Sequence, residues 1–282
     1  MRFEKIKSHA KVNLSLNVIG KQKSKLHNLE TLVAFVDLHD QILIKRINDK
    51  NHEVKFSGHF SNKVPKENTI SNLLKILDKK KKLKNHKYSI LIKKNIPQKA
   101  GLGGGSMNAA SLINYFVKKY KINLSSKERY NLCSQIGSDV ILGIDQKNLI
   151  ISYKKKITKI KKNLKMFTLM VKPNFGCSTK SIFKRVRRYS KPQLLKIRSK
   201  NIDFNLMSKM KNDLEPISLK KYPRLQKLRD YFLNIDKNSY VRMTGSGSTI
   251  VGYFKSKKAA LNAKKLLKKN YKNYWCNLSK TI

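Results

Sequence analysis

A cluster of glycines near the middle of the chain limits the possible folds more than any other segment. Without Cβ atoms, glycines permit positive φ angles and let several backbone N–H groups converge on an anion. Residues 88–94 before the cluster have strand composition, and residues 108–117 after it carry apolar side chains at helical spacing. The order strand, glycine turn, helix predicts a phosphate-binding loop at the positive end of a helix dipole. The glycines are Gly101, Gly103, Gly104 and Gly105, within the segment IPQKAGLGGGSMNAA of residues 96–110.

Two familiar phosphate-binding loops are excluded by spacing. A Walker A loop ends in Gly-Lys-Ser/Thr, whereas here Ser106 follows Gly105 with no lysine between them. A dinucleotide-binding fingerprint requires a third glycine at the position of Ser106. It also requires an acid about twenty residues later, where this chain has lysines around Tyr120. Ser106 is instead a good N-cap residue, so we expect it to cap the following helix. A tight turn without a ligand is the alternative interpretation of the cluster.

The composition indicates a globular chain without a membrane span. The 282 residues include 40% hydrophobic side chains, enough for two domains, but no apolar run approaches the length of a transmembrane helix. The first residues lack the apolar core of a signal peptide, so we expect a cytoplasmic protein. The 3 cysteines have neither the spacing of a metal site nor the number expected of a disulfide framework.

The net charge of +48 raises the question of nucleic-acid binding, because basic surfaces bind phosphate backbones by releasing counterions. The excess is mostly lysine and is spread over the whole chain. Arginine, the better bidentate ligand for bases and phosphates, is scarcer, although Arg185, Arg187 and Arg188 form a cluster. We therefore expect no specific nucleic-acid partner and attribute the lysine excess to compositional drift.

Strand and helix patterns are mixed in both halves of the chain, which predicts an α+β fold. A lysine-rich segment at residues 155–165 interrupts these patterns. It sets the predicted boundary between an N-terminal domain of residues 1–158 and a C-terminal domain of residues 159–282. The predicted strands are residues 12–18, 31–36, 41–47, 167–171, 239–243 and 249–254. The predicted helices are residues 68–80, 178–187, 223–233 and 257–268.

Asp139 is the acid that the residues alone favour as a general base. It lies in a turn of small residues just after the helix-like segment 128–136, in a chain with only 16 acids against 64 bases. A solvated or helix-capping aspartate is the alternative. Lys11, beside Asn13 on the first predicted strand, stands out less because lysine is so common here.

Five segments, in order along the chain, are similar to the signature motifs of one family. They are AKVNLSL at 10–16, LHNLET at 26–31 followed by Asp37 and Asp40, PQKAGLGGGSMNAA at 97–110, IGSDV at 136–140 and MTGSGST at 243–249. Taken together they resemble the GHMP kinase superfamily and, within it, the 4-diphosphocytidyl-2-C-methyl-D-erythritol kinases. The resemblance implies a two-domain GHMP kinase fold. Its N-terminal domain would be like domain 2 of ribosomal protein S5, and its C-terminal domain a ferredoxin-like α/β domain.

The chemistry implied by the resemblance is transfer of the ATP γ-phosphoryl group to the 2-hydroxyl of the methylerythritol unit, in the non-mevalonate isoprenoid pathway. Asp139 would act as the base, and Lys11 would offset negative charge beside it. Mg²⁺ would bridge the phosphates, with Ser106 as the one candidate ligand. The implied ATP-binding residues are Asn68, Pro97, Gln98, Lys99, Ala100, Gly101, Leu102, Gly103, Gly104, Gly105, Ser106 and Met107.

The resemblance also implies a small-molecule cytidylyl substrate whose base is stacked between aromatic rings and read along its edge by a histidine. His27 matches the histidine and Phe183 one of the rings. The position of the other ring, usually a tyrosine, is Leu26, so we expect weaker substrate binding. A second departure is at residues 154–162, where the family tends to have a turn of glycine and acid. The remaining implied substrate-binding residues are Asn13, Thr244, Gly245 and Gly247.

Two alternatives of other kinds stay open at this stage. One is another small-molecule GHMP kinase, such as one acting on homoserine or mevalonate. The other is a basic, non-catalytic nucleic-acid-binding protein on the same fold. We expect the chain to have no membrane partner and to be a monomer or a weak homodimer.

Overall fold

The computed structural model describes residues 2–22, 26–62, 64–153, 156–161 and 164–282. The chain forms two compact units, each built from separate stretches of sequence. Unit 1 comprises Met1–Ala10, Leu38–Gln98 and Gly103–Gln146, and unit 2 comprises Lys11–Asp37, Lys99–Leu102 and Lys147–Ile282. The expected boundary between residues 158 and 159 divides the chain into two consecutive segments, whereas each observed unit combines several separate segments. The expected boundary stays a prediction.

Strands and helices are present in both units, as an α+β fold requires. The strands are β1 Glu4–Lys21, β2 His27–Ile47, β3 Glu53–Ser57, β4 Lys87–Lys93, β5 Leu149–Ile151, β6 Ile157–Lys159, β7 Phe167–Lys172, β8 Tyr240–Met243, β9 Ile250–Phe254 and β10 Trp275–Lys280. The helices are α1 Thr69–Lys79, α2 Gly104–Tyr120, α3 Ser126–Ile136, α4 Thr179–Phe183, α5 Phe204–Lys209, α6 Leu214–Lys221, α7 Pro223–Leu233 and α8 Lys257–Asn270.

In unit 1, three helices cover one sheet. β4 pairs with β2 in antiparallel and with β3 in parallel orientation, while β1 pairs with β2. Helix α1 buries residues at the i, i+3, i+4, i+7 spacing of one helix face, which explains why its pattern was readable in the sequence. These residues are Ile70, Leu73, Leu74 and Leu77, and they join one hydrophobic core with apolar residues of β2, β4, α2 and α3.

The start of α2 differs from the sequence-based expectation. The N-cap is Gly103, in the left-handed conformation with φ 70°, and the helix begins at Gly104. Ser106 therefore lies within the first helical turn, and its prediction as the N-cap is wrong. The reason is that a glycine accepts the left-handed geometry with little strain, so the chain enters the helix three residues earlier than a serine cap would allow.

Unit 2 contains the ferredoxin-like sheet. Its strand order is β10-β7-β9-β8, and every neighbouring pair is antiparallel. With α4 to α7 between β7 and β8 and α8 between β9 and β10, this is the split βαββαβ arrangement expected for the C-terminal domain. The other strand pairs of the unit join the first part of β2 to β5, and β5 to β6, in antiparallel orientation.

Further sequence-based expectations for secondary structure need correction. Predicted strand 12–18 is part of the longer strand β1, Glu4–Lys21. Predicted strands 31–36 and 41–47 are parts of the single continuous strand β2. Helix α4 ends at Phe183, whereas residues 178–187 were expected to be helical. Beyond Phe183 the chain turns. Arg185 Nη1 donates to the Ser181 carbonyl oxygen at 3.0 Å and so provides a hydrogen bond to one of the last carbonyl groups of the helix.

Part of the second departure from the family pattern falls outside the described residues. Of residues 154–162, the structure describes 156–161, in which β6 pairs with β5. Among the described residues, no helix combines the length and the apolar character needed to cross a bilayer.

Candidate active site

The second half of the glycine loop opens α2 in unit 1. Gly103 has no side chain with which to cap the helix, so the first N–H groups of α2 remain available at the positive end of its dipole. Thr69 Oγ1 at the start of α1 donates to the Gly105 carbonyl oxygen at 2.9 Å and fixes that peptide. The geometry fits a bound phosphate, as expected for a glycine-rich turn before a helix.

The first half of the loop is held by unit 2. Lys11 N donates to the Leu102 carbonyl oxygen at 3.1 Å, and Thr249 N donates to that of Ala100 at 3.3 Å. Gly101 has φ +75° and lies so close to Thr244 that a Cβ atom on Gly101 would be 2.2 Å from the Thr244 carbonyl oxygen. Only glycine fits at this position, for reasons of both φ and space.

Several predicted ATP-binding residues are in the loop but have their side chains engaged elsewhere. Ala100, Leu102 and Met107 are buried in the protein, so any nucleotide contact they make is through the backbone. Gln98 Nε2 donates to the Phe60 carbonyl oxygen at 2.8 Å. Asn68 caps α1, where its Oδ1 accepts from the backbone N–H groups of Ile70 and Ser71 at 2.9 and 3.2 Å. Pro97 is buried and Lys99 is exposed.

Asp139 lies in the turn that follows α3, as its sequence position predicted. Helix α3 ends at Ile136, and Asp139 precedes a 3₁₀ turn over Val140–Gly143. The turn packs closely on α2, because a Cβ on Gly143 would be 2.7 Å from that of Ala110. A Cβ on Gly137 would be 3.9 Å from Ser106 Oγ. The half-buried Asp139 is therefore on the segment that adjoins the phosphate-binding end of α2.

A second cluster of predicted residues is connected by hydrogen bonds in unit 2. The buried Lys11 Nζ donates to Asn13 Oδ1 at 2.7 Å, and Thr244 Oγ1 lies 3.4 Å from the same oxygen. Asn13 Nδ2 in turn donates to Thr31 Oγ1 at 2.9 Å. Gly245 is part of this arrangement, since Asn13 Oδ1 would be 3.6 Å from a Cβ at that glycine. The network fixes the orientation of Asn13 and of the Lys11 ammonium group.

The structure brings His27 and Phe183 together, with ring centroids 5.1 Å apart. Burial lowers the pKa of the His27 imidazole from its ordinary value of 6.5, and the charge of Lys21 lowers the pKa further. The imidazole is therefore neutral at pH 7 and can both donate and accept a hydrogen bond. A third ring, that of Tyr189, is 6.5 Å from His27. Tyr189 belongs to no motif recognised in the sequence, where its one signal is its position beside the arginine cluster.

Asp40, the acid of the second motif, is a buried structural carboxylate rather than a metal ligand. It pairs with the buried Lys94 and accepts from the backbone N–H groups of Asn95 and Ile96, both at 2.8 Å. Asn108 Nδ2 donates to it at 2.9 Å. These bonds tie the end of β4, just before the glycine loop, to α2. Within the described residues, no group of three or more acidic, histidine or cysteine side chains could hold a metal.

Comparisons with known proteins match both the N-terminal and the C-terminal part of the chain. A family model described as the GHMP kinases N terminal domain matches residues 68–151, and one described as GHMP kinases C terminal matches residues 190–273. A Pelagibacter ubique (strain HTCC1062) protein named 4-diphosphocytidyl-2-C-methyl-D-erythritol kinase is 50% identical over 282 residues, which is 100% of each chain.

Solved structures show the same fold. A crystal structure of 4-(cytidine 5'-diphospho)-2C-methyl-D-erythritol kinase has a TM-score of 0.75 and 21% identity, covering 98% of this chain and 99% of that one. A homoserine kinase from Cytophaga hutchinsonii has a TM-score of 0.73 and 16% identity, covering 100% of this chain and 95% of its own. At these identities, the structures are evidence for the fold alone.

Proposed function

Because the chain belongs to the GHMP kinase superfamily and, within it, to the 4-diphosphocytidyl-2-C-methyl-D-erythritol kinases, we propose the reaction of that family for it. The protein transfers the γ-phosphoryl group of ATP to the 2-hydroxyl of 4-diphosphocytidyl-2-C-methyl-D-erythritol, a step of the non-mevalonate isoprenoid pathway. The observation that carries this proposal is the 50% identity to a kinase of that name over the whole chain. The glycine loop suits the phosphates of ATP. The paired rings of His27 and Phe183 suit the cytosine base of the other substrate.

The glycine loop binds the triphosphate of ATP in this proposal. Its amides at the start of α2 donate to phosphate oxygens, and the helix dipole favours their negative charge. The tight packing of Gly101 on Thr244 supports this role, because a preformed loop need not be ordered when the nucleotide binds.

Asp139 accepts the proton of the acceptor hydroxyl. Phosphoryl transfer passes through a loose transition state, so a correctly positioned carboxylate suffices. Lys11, held by Asn13, supplies positive charge that offsets the charge developing on the transferred group. The placement of Asp139 on a turn packed against α2 supports its role at the phosphate end of that helix.

The donor set fits Mg²⁺ only as an ion held mainly by the nucleotide. Asp40 is committed to Lys94 and three other donors. The Ser106 hydroxyl, in the first turn of α2, is a protein oxygen near the expected position of the phosphates. Mg²⁺ in kinases keeps few protein ligands and, when bound, neutralises charge on the phosphates. We assign Ser106 as its protein ligand.

An ADP-release assay with Mg²⁺ tests the function directly. We expect turnover with 4-diphosphocytidyl-2-C-methyl-D-erythritol. With homoserine or mevalonate, kcat/KM should be at least about a hundredfold lower, because these alcohols carry no nucleobase for the rings of His27 and Phe183 to contact. Faster turnover of either simple alcohol would contradict the proposal. A variant Lys11→Met, assayed in parallel, controls for contaminating kinases because it should lose most of the activity.

The high positive charge has no part in this function. Binding to RNA at low salt, lost steeply as salt rises, is the expected behaviour of a nonspecific lysine surface. Turnover of the small molecule at physiological salt, without RNA, distinguishes the kinase from a nucleic-acid binder. Sedimentation at assay concentration tests the expected monomer or weak homodimer.

A further inference from the structure

Three aromatic side chains meet at one surface of unit 2. His27 begins β2, Phe183 ends α4, and Tyr189 lies six residues beyond Phe183. The imidazole is the central ring, 5.1 Å from Phe183 and 6.5 Å from Tyr189. Tyr189 is 48% exposed, although its ring is large and apolar. An exposed ring beside a half-buried imidazole offers a flat face to a ligand rather than to the core.

The backbone next to Tyr189 is firmly held. Ser190 N donates to the Val18 carbonyl oxygen at 2.8 Å, and Ser190 Oγ donates to Asp213 Oδ2 at 2.8 Å. Asp213 Oδ2 also accepts from Val18 N at 2.7 Å, so one carboxylate joins this segment to β1. The backbone beside Tyr189 is therefore fixed by the fold.

A buried glutamate holds the residues that follow. Glu30 Oε1 accepts from the backbone N–H groups of Gln193 and Leu194 at 2.6 and 3.1 Å, and from Asn17 Nδ2 at 3.0 Å. Glu30 is fully buried on β2, three residues after His27. The strand that carries the imidazole thus also anchors the segment that carries Tyr189, so the fold holds these two stretches of backbone together.

Leu26, the position at which the family resemblance implies a second stacking ring, cannot serve that purpose. Its side chain is aliphatic and 66% exposed. An isobutyl group offers neither the flat face nor the quadrupole that favours stacking on a heteroaromatic base. The chain therefore needs another ring if the base is to be covered on both sides.

We propose that Tyr189 supplies the second stacking face for the nucleobase of the substrate, in place of the ring absent at Leu26. The base lies between Phe183 and Tyr189, with His27 at its edge. This inference rests on the proposed function, whose substrate carries a cytidylyl group, and it adds a specificity-determining residue to that site. It also replaces the expectation that Leu26 weakens binding.

The distances allow this arrangement. A base stacked on two rings separates them by about 7 Å, twice the ~3.5 Å contact distance between carbon atoms. Rings 5.1 and 6.5 Å from a shared imidazole can be that far apart. The neutral imidazole can then form hydrogen bonds to the base edge from a position between the two faces.

The test compares Tyr189→Ala with Tyr189→Phe, and uses Tyr130→Ala as the matched control. Tyr130 lies on α3 in unit 1 and is 45% exposed, close to the value for Tyr189. We expect Tyr189→Ala to raise KM for the cytidylyl substrate about tenfold, the scale of one stacked base, with KM for ATP unchanged. Tyr189→Phe and Tyr130→Ala should remain within twofold of the wild type.

Titration calorimetry with CMP measures the base site without turnover, and the same tenfold loss is expected there for Tyr189→Ala. The double variant Leu26→Tyr/Tyr189→Ala moves the ring to the other position. It should recover CMP affinity to within about threefold of the wild type, which a merely structural role of Tyr189 would not predict.

Three outcomes would overturn the inference. They are CMP affinity unchanged in Tyr189→Ala, an equal loss of ATP affinity in that variant, or no recovery in the double variant. Failure of the proposed function is a different result, since the wild type would then neither bind CMP nor release ADP with the cytidylyl substrate. If the wild type binds CMP and releases ADP with the cytidylyl substrate, and Tyr189→Ala behaves like the wild type, this inference is rejected while the proposed function stands.

Discussion

Gly101 and Thr244 are in direct contact through their backbones. The Thr244 hydroxyl donates to the Gly101 carbonyl oxygen at 3.2 Å, and a Cβ on Gly101 would overlap the Thr244 carbonyl oxygen at 2.2 Å. The MTGSGST segment at residues 243–249 is thus the surface against which the first half of the phosphate loop is formed. The two motifs are far apart in the sequence and act as one structural feature.

Gly101→Ala should disrupt this contact. The φ of +75° and the overlap with backbone both oppose a side chain, so the loop must move. We expect ATP affinity to fall by at least tenfold and the melting temperature to drop by several degrees, measured by calorimetry and thermal denaturation. Gly20→Ala is the control, because a Cβ at Gly20 would have no atom within 4 Å. Equal behaviour of the two variants would show that the contact is unimportant.

Asp139→Asn should separate catalysis from nucleotide binding. The amide keeps the shape of the side chain but cannot accept the hydroxyl proton, so kcat should fall by at least about a hundredfold. ATP affinity, measured by calorimetry, should stay within about threefold. Asp49→Asn, at an exposed loop position, controls for the loss of one negative charge. Near-wild-type turnover of Asp139→Asn would remove this residue from the mechanism.

Asp40→Asn should be among the most destabilising single substitutions in unit 1. It leaves the buried Lys94 ammonium without its counter-charge, and breaking a buried pair costs about 3–5 kcal/mol. Asp78→Asn is the control, since Asp78 pairs with Lys87 and His52 but is partly exposed, and such pairs contribute about 1 kcal/mol or less. Urea denaturation measures both. A smaller loss for Asp40→Asn than for Asp78→Asn would refute the ranking.

The pH dependence of substrate binding should follow His27. Its pKa lies below 6.5 because burial and Lys21 disfavour the charged form, so the imidazole is neutral above that pH and becomes protonated below it. KM for the cytidylyl substrate should be constant from about pH 8 to 7 and should rise once the pH falls below the ordinary histidine pKa of about 6.5. KM for ATP should not share this rise.

Lys21→Gln is a control that should shift the His27 pKa upward instead of downward. Removing the lysine charge raises the His27 pKa, so the rise in KM should begin at a higher pH than in the wild type. A rise that begins at the same pH in both proteins would exclude His27 as the titrating group.

Local patterns predicted some of the regular elements closely, whereas β3, β5, β6, β10, α5 and α6 were not predicted. Helix α7 has the predicted bounds, and α1 begins one residue later than predicted, because apolar spacing and end signals are local properties of the sequence. The start of α2 was missed because a glycine cluster permits several left-handed positions, and only tertiary contacts select Gly103. Helix α4 was predicted too long because the apolar spacing continues to Val186, whereas the helix ends at Phe183.

Residues of the candidate site could be predicted from the sequence only where they lie in a segment similar to a family motif. His27 and Phe183 were identified through the family resemblance, and the structure brings their rings together. Tyr189 and Thr69 were missed because each acquires its contact only when distant segments pack, which no local pattern records. The bonds of Asp40 to Lys94 and Asn108 were equally invisible, since they join three separate elements.

The discontinuous composition of unit 2 has a consequence for how this protein must be made. Asn13 N donates to Thr244 Oγ1, a partner that lies 231 residues later in the chain. During synthesis β1 emerges long before that threonine. The polar groups of β1 therefore remain hydrated until translation is nearly finished. Residues 147–282 lack the stretches Lys11–Asp37 and Lys99–Leu102 of unit 2, so this part of the chain, expressed separately, should gain its fold only when mixed with the first part.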